Sequence, residues 1–409
     1  HDLDEVVASP ASLWKRPWYV KERELLDPTE DVDWDLLQRY DRRLNAQVQR
    51  TFSMYPNLWP RYQQASANRA AVLAQKSGAQ DPGFSLAHQA LRLGTDGVKT
   101  LVGMMTYGFT GITDSKYWAK TPEQRGVPKW TGSPEEASRL LQAALTYFGS
   151  PFNGFALLDS VWRSKLILTH TTTGAKKWTY SSSNPLPPEE DSLRFVYEDV
   201  PRGYAELHKN YEGADAGKAV IPTKDMYLVV MANAESKEVA KTAPSLIAQD
   251  LSNSTGVGRP HDIIKTGLFN FLRALGDYQL LGFASHQADF CNNAAAAVLT
   301  GVAESSRQNL FVINPETFYI GQFALATDLP LAPTKPIDAG IWSFCHTCGK
   351  CADTCPPQAI SFDKEPSYDI PLTDGLPSTF HCPGPKHFWS NLVACNIYRQ
   401  EVGCCNVCY

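Results

Sequence analysis

Cys345, Cys348, Cys351 and Cys355, followed at once by Pro356, carry the clearest chemistry in this chain. The spacing C-x2-C-x2-C-x3-C-P puts three thiolates on one tight loop, where they can hold three irons of a cubane. The fourth is left to point at a neighbouring cubane. A second set follows at Cys395, Cys404, Cys405 and Cys408. A structural zinc site would show paired C-x2-C knuckles and four ligands. A disulfide frame would spread along the chain, yet nine of the ten cysteines lie at or after position 345. The spacing predicts two [4Fe-4S] clusters held by Cys345, Cys348, Cys351, Cys355, Cys395, Cys405 and Cys408, and hence a chain that moves electrons. The second set is one cysteine short, because a further ligand is called for four residues after Cys408 and the sequence stops at Tyr409. A C-terminus cut short is the expectation. The alternative is that Cys382 or Cys404 substitutes, although each also reads as a small buried hydrophobe.

The elements that must position these thiols come from a globular composition. The 409 residues are 43% hydrophobic and 20% charged, enough for two or three domains. The net charge of −5 and the lack of a basic tract argue against a nucleic-acid partner. No run approaches the ~18 apolar residues of a membrane span. Position 1 is His rather than Met, which implies a processed or trimmed N-terminus. The ten tryptophans suit either a pocket around a flat cofactor or ordinary core.

Residues 1–130 read as an irregular, aromatic-rich region that helps to enclose a site. The apolar stretch from Phe84 to Phe109 forms either a cavity wall or packed core. Ser133-Pro134-Glu135-Glu136 is a capping box with proline at the first helical position, and Ala137, Leu140, Leu141, Ala144, Leu145 and Phe148 continue it as one apolar stripe. Phe155–Leu158 predicts a short buried strand, and Met226–Ala232 one buried on both faces. Residues 181–191, with Pro185, Pro187 and Pro188, read as a polar loop. Helical spacing runs from 262 to 275, and an Ala-rich helix is expected over 293–302. Leu310–Ile313 and Phe323–Ala326 look like further strands. The alternation predicts an α/β domain over 131–335, followed by an iron–sulfur domain over 336–409. Gly301-Val-Ala-Glu-Ser-Ser-Arg307 lacks the glycines of a dinucleotide turn, and no Asp-x-His-x-x-Gly run supplies a cobalt-ligating histidine. His261 and His286 each read first as ordinary satisfied histidines.

An α/β region followed by a two-cluster module resembles the respiratory reductive dehalogenases. The likeness is carried by His1-Asp-Leu-Asp-Glu5, Pro17-Trp-Tyr-Val20 and Val32-Asp-Trp-Asp35, which are similar to the mature N-terminus of members acting on chlorinated ethenes and alkanes. It is carried also by Thr327-Asp-Leu-Pro-Leu-Ala-Pro333 and Pro336-Ile-Asp-Ala-Gly340, which resemble the family's lead-in to the first cysteine motif. The resemblance implies a nitroreductase-like α/β core that binds a corrinoid without a protein ligand to cobalt, joined to a ferredoxin-like module with two [4Fe-4S] clusters. It further implies export by the twin-arginine route, a small integral-membrane partner that holds the protein on the outer face of the cytoplasmic membrane, and an upstream electron donor. Electrons would pass through the clusters to cobalt, and a small chlorinated alkane or ethene would exchange halogen for hydrogen in organohalide respiration.

By the same resemblance Arg307 matches the arginine of the family's Gly-x-Gly-x-x-Gly-Arg stretch, which positions the proton donor and stabilises negative charge. Two of its glycines are replaced here. The family's donor is a tyrosine preceding the helix at 262–275, where this chain has Gly256-Val-Gly-Arg259-Pro-His261-Asp262 instead. His261 is the residue expected to take that role. Asn292 and Asn293 are expected at the corrinoid or substrate, with a helix cap as the plainer reading. Two other functions compete: an enzyme like epoxyqueuosine reductase, which the absence of a basic tract disfavours, and an electron-transfer subunit without its own active site, which would not need the long α/β region.

Overall fold

The computed structural model describes the chain apart from residues 1, 10, 12–14, 45–53, 77–84, 88, 92, 95–106, 172–180, 187, 211–214, 246–259, 283–289, 310, 318, 404 and 409. Much of the apolar stretch expected at 84–109 lies outside the described residues, as do His286 and Cys404.

In chain order, β1 (Lys21–Glu22) is followed by helix α1 (Trp59–Lys76) and α2 (Pro134–Tyr147). The capping box of α2 forms as the sequence predicts: Ser133 Oγ accepts the Glu136 amide at 3.2 Å, and Glu136 Oε2 accepts the Ser133 amide at 2.7 Å. Strand β2 (Phe152–Leu157) comes next, then β3 (Leu193–Glu198), β4 (Tyr204–Lys209), β5 (Asp215–Pro222) and β6 (Tyr227–Ala234). Helix α3 (Pro260–Gly276), the short β7 (Leu280–Leu281), α4 (Asn293–Leu299) and β8 (Ile320–Thr327) complete the middle of the chain. Strand β9 (Ile337–Asp338) leads into α5 (Ile341–Cys348), α6 (Lys350–Thr354) and α7 (Leu392–Val402).

The central sheet has the order β2-β6-β8-β7 and every pairing in it is antiparallel. Its register sets Phe152 opposite Ala232, and Gln322 opposite Ala232 on the other side. Because strand side chains alternate between faces, β6 and β8 feed two cores. Val229, Met231, Phe323 and Leu325 face α2 and α3, packing against Leu141, Leu145, Ile264 and Leu268. Leu228, Val230, Ala324 and Ala326 face the other way, onto α4 and the second sheet. The wholly apolar composition of β6 is thereby explained, since both of its faces are buried.

The sheets depart from sequence expectation in two ways. Alternating strands and helices pointed to an α/β layer, but the central sheet is antiparallel, so the fold is mixed α/β with α2 and α3 gathered on one face. Residues 193–222 form a second sheet of order β3-β5-β4, with β3 parallel and β4 antiparallel to β5, which sequence reading missed. Of the strand expected at 310–313, residue 310 lies outside the described residues and Phe311–Ile313 is not a strand. Its contribution is a single bridge in which Glu304 and Ile313 exchange backbone hydrogen bonds of 2.9 Å each.

The first and last parts of the chain meet. Strand β1 pairs antiparallel with β9, setting Lys21 opposite Asp338. Helix α1 lies against α7, where Gln400 Nε2 donates to Ser66 Oγ at 2.9 Å. Among the described residues no helix is long and apolar enough to cross a membrane.

Candidate functional site

Helix α5 carries Cys345 and Cys348, and α6 carries Cys351. Gly349 separates them at φ 62°, a left-handed conformation that glycine adopts without steric cost. Burial pushes the Cys351 thiol up to about 11, and the neighbouring Cys345 and Cys348 thiols add to the shift. Cys355, beyond α6, joins a different group: it lines a small enclosed cavity with Cys395, Cys405 and Cys408. Burial raises the Cys408 thiol as well, and the nearby Cys395, Cys405 and Cys355 thiols raise it further. The Ala359 amide donates to Cys355 Sγ at 3.2 Å. Among the described residues, no three His, Cys, Asp or Glu side chains converge as ligands of a single metal ion would. Four thiols around one space match in number and type the donors that could hold a cubane, which is ligated by four cysteine thiolates.

A cavity of about 340 Å³ lies on the α4 side of the central sheet, closed by the C-terminal segment. Asn293, Val298 and Gln322 contribute from the middle of the chain, while Tyr40 and Arg42 reach in from the N-terminal region and His381, Cys382 and Trp389 from the C-terminal segment. Leu392 lines both this cavity and the four-cysteine cavity, so at that point the wall between them is one side chain thick. A smaller lobe of about 70 Å³ continues it past Cys382 and Asn292, under Val32, Trp34, Leu37 and Leu299.

Buried polar atoms of the main wall, among them Asn293 Oδ1, Asn309 Nδ2 and Glu30 Oε2, have no hydrogen-bond partner among the described residues. Buried polar groups are almost always paired, so an acceptor and a donor left open in one cavity fit a large ligand with polar edges. Burial brings the Arg42 guanidinium down to about 10 and the His381 imidazole to about 4, where His381 Nε2 donates to the Ser390 carbonyl at 2.7 Å. Glu30, also in the wall, accepts from Ser305 Oγ at 2.7 Å, and its Oε2 lies 3.2 Å from His387 Nε2.

The residues expected from sequence separate into those that reach this cavity and those that do not. Asn292 and Asn293 both line it. The Asn292 side chain also caps α4, accepting the Ala294 and Ala295 amides at 3.1 and 3.2 Å, so the plainer reading describes its bonds. His261 is on the opposite layer. Its Nε2 lies 2.8 Å from Asn233 Oδ1 and its ring packs 4.0 Å from that of Phe323, both of which belong to the sheet face turned toward α3. The period-two alternation that sends Gln322 into the cavity sends its neighbour Phe323, and His261 with it, the other way. Arg307 is not in the wall either. Its Nε donates to the Cys345 carbonyl at 3.0 Å and its Nη1 to the Ser361 and Asp363 carbonyls at 3.1 and 2.7 Å, with the guanidinium carbon 3.8 Å from the centre of the Phe388 ring. Those bonds commit the guanidinium to the first cysteine loop rather than to a departing halide. Cys382 stands in the large cavity, where burial raises it to about 12, and not with the other thiols. Glu30, His381 and His387 were missed. Nothing in their local spacing marks them, because they converge only in tertiary structure.

A cavity lined by four thiols stands beside a larger one with open polar atoms in this mixed α/β fold. The family model described as "Reductive dehalogenase subunit" matches residues 15–331. The chain belongs to the reductive dehalogenase family, oxidoreductases that act on carbon–halogen bonds. It is 28% identical over 405 residues to a chloroethene reductive dehalogenase of Dehalococcoides mccartyi strain VS, covering 90% of this chain and 75% of that protein. A trichloroethene reductive dehalogenase of Dehalococcoides mccartyi strain ATCC BAA-2266 / KCTC 15142 / 195 is 26% identical, with 91% and 76% covered. Among solved structures, the catabolic reductive dehalogenase NpRdhA is matched with a TM-score of 0.57 at 18% identity, over 99% of this chain and 46% of that one. A reductive dehalogenase structure described as suggesting a mechanism for B12-dependent dehalogenation is matched at 0.56 and 18%, over 95% and 43%. These structural likenesses speak to the fold alone, and the chain spans less than half the length of either solved protein.

Proposed function

We propose that this chain replaces a halogen of a small chlorinated aliphatic, a chlorinated ethene or alkane, by hydrogen: R–X plus two electrons and a proton gives R–H and halide. The observation that carries the reading is the Leu392 wall, with four thiols on one side and a large cavity with unpaired polar atoms on the other. Cys355, Cys395, Cys405 and Cys408 fit one [4Fe-4S] cluster, and Cys345, Cys348 and Cys351 supply three ligands of another, with Cys348 exposed on the outer side. The large cavity would hold the corrinoid, with Asn293 and Asn309 meeting its polar edge. When bound, these groups supply the electron relay and the reduced metal that the carbon–halogen bond requires.

The protein's share is position, exclusion of water and a proton. The lobe under Trp34 and Leu37 suits a small apolar substrate. In the cavity wall Ser305 Oγ donates to one Glu30 oxygen, and His387 Nε2 lies 3.2 Å from the other. This pair takes the place of the absent tyrosine as the proton source, with no role for His261. Work at an exported, membrane-held site, with a small integral-membrane partner and an upstream electron donor, completes the proposal.

Anaerobic purification from corrinoid-producing cells tests it. About eight iron and about one corrinoid per chain are expected, with chloride release from a panel of chlorinated ethenes and alkanes. The same iron without corrinoid, and no chloride release, would overturn the reading in favour of an electron carrier.

A further inference from the structure

Helix α5, which carries two of the outer thiols, has no cap of its own. Its N-cap is Gly340 at φ 78°, and no side chain of the segment bonds its first amides. The free N–H groups of a helix start must find acceptors, and here one distant carboxylate supplies them. Glu304 Oε2 accepts the Ala339 amide at 2.8 Å and the Ile341 amide at 3.3 Å, while Oε1 accepts that of Trp342 at 2.9 Å. Three residues along, Arg307 takes the other polarity of the same loop, donating to the carbonyls of Cys345, Ser361 and Asp363 and, at 3.4 Å, of His346. Both side chains are buried. Between them, Ser305 and Ser306 line the large cavity.

From this juxtaposition we infer that Glu304 and Arg307 are a pair of positioning residues that clamp the first cysteine loop to the cavity wall and set the potential of the cluster it carries. Burial, the larger effect, raises the Glu304 carboxyl above its ordinary range, and the Trp342, Ala339 and Ile341 amides that donate to its two oxygens act the other way, favouring the carboxylate. In its carboxylate form Glu304 acts with opposite sign to the Arg307 guanidinium on whatever Cys345, Cys348 and Cys351 hold. A fixed cation nearby favours the more negative, reduced state and raises a potential, and a fixed anion lowers it. In this dry setting neither effect is screened as it would be at a surface. The pair also joins two distances that must be held together, since any movement of the 304–307 segment shifts the cavity wall and the outer thiols at once.

The inference rests on the cluster reading of those thiols, and the test separates the two. Glu304→Gln and Arg307→Gln are purified anaerobically beside the unaltered protein. Each cluster's midpoint potential is measured by electron paramagnetic resonance, and exchange of the Ala339, Ile341 and Trp342 amides is followed. Glu304→Gln is expected to raise the potential of one cluster and Arg307→Gln to lower the potential of that same cluster, with the second cluster unmoved in both. Arg307→Lys, which keeps the charge and loses the fork, is expected to restore most of the shift. The three amides should exchange roughly tenfold faster in Glu304→Gln, as for loss of a charged hydrogen-bond partner. Unmoved potentials with full iron, or both clusters moving alike, would overturn the clamp. An unaltered protein without iron would overturn the cluster reading instead. Amide exchange would then decide the clamp alone: faster in Glu304→Gln supports it, and equal protection overturns it.

Discussion

Replacing Cys355 by serine divides the two thiol groups experimentally. Cys355 belongs by sequence to the first motif, only four positions after Cys351, but lines a cavity with Cys395, Cys405 and Cys408. Serine keeps an acceptor for the Ala359 amide now bonded to Sγ at 3.2 Å, so the local turn survives while the thiolate is lost. On the proposed reading one of two four-iron sites loses a quarter of its ligands, and iron should fall from about eight to about four per chain. Cys348→Ser should remove a similar amount from the other site. The assay is iron and acid-labile sulfide on anaerobic protein, with electron paramagnetic resonance to identify the surviving cluster. The two variants must leave different clusters. If both leave the same spectrum, or if Cys355→Ser keeps full iron, the division into three and four thiols is wrong. If the serine variant also lowers the unfolding midpoint of iron-free protein by several degrees, the loss would be structural and not one of ligation.

His381 should make stability depend on pH. Its imidazole, held neutral by burial, falls from 6.5 to about 4, so its contribution is complete above pH 6.5 and is lost as pH falls toward 4. At about 1.4 kcal/mol for each pH unit the loss is on the order of 3 kcal/mol, and urea titrations of His381→Gln should show a flatter profile over that window. Asn293→Leu removes an unpaired buried oxygen, so stability should hold or rise by about 1 kcal/mol while corrinoid retained through gel filtration falls. Equal retention would remove Asn293 from the proposed cofactor contacts. Gly301→Ala forces a Cβ onto the Lys335 carbonyl, and to 2.7 Å from Arg16 Nη2, at φ 71°. The melting temperature should drop by at least about 3 °C, and an unchanged value would refute the close approach.

Local rules made part of this molecule legible. The α2 capping box, the doubly buried β6 and the amphipathic α3 each depend on residues within one turn or one strand, and each stands where sequence placed it, within a residue or two. The division of the thiols into three and four followed from spacing as well. What failed was direction across elements. The start of α3 was readable, but which layer its His261 joins depends on the register of β8 against β6, which local sequence does not encode. Arg307 carried the right charge, yet its partners Ser361 and Asp363 lie more than fifty positions away. The Leu193–Glu198 strand alternates as Leu-Arg-Phe-Val-Tyr-Glu and was within reach of a period-two reading. Its partner β5 begins Asp-Ala-Gly-Lys, which conceals it.

The β1–β9 pairing bears on the order of assembly. Lys21 and Asp338 meet across more than three hundred residues, and the large cavity takes walls from before residue 45, from the middle of the chain and from beyond residue 380. A chain emerging from the ribosome therefore has no enclosed chamber until its late segments have been made. The entropic cost of joining segments so far apart rises only slowly with length, but it falls due in one late step. The cavity walls supplied by the two ends of the chain are therefore brought into place by contacts between distant segments.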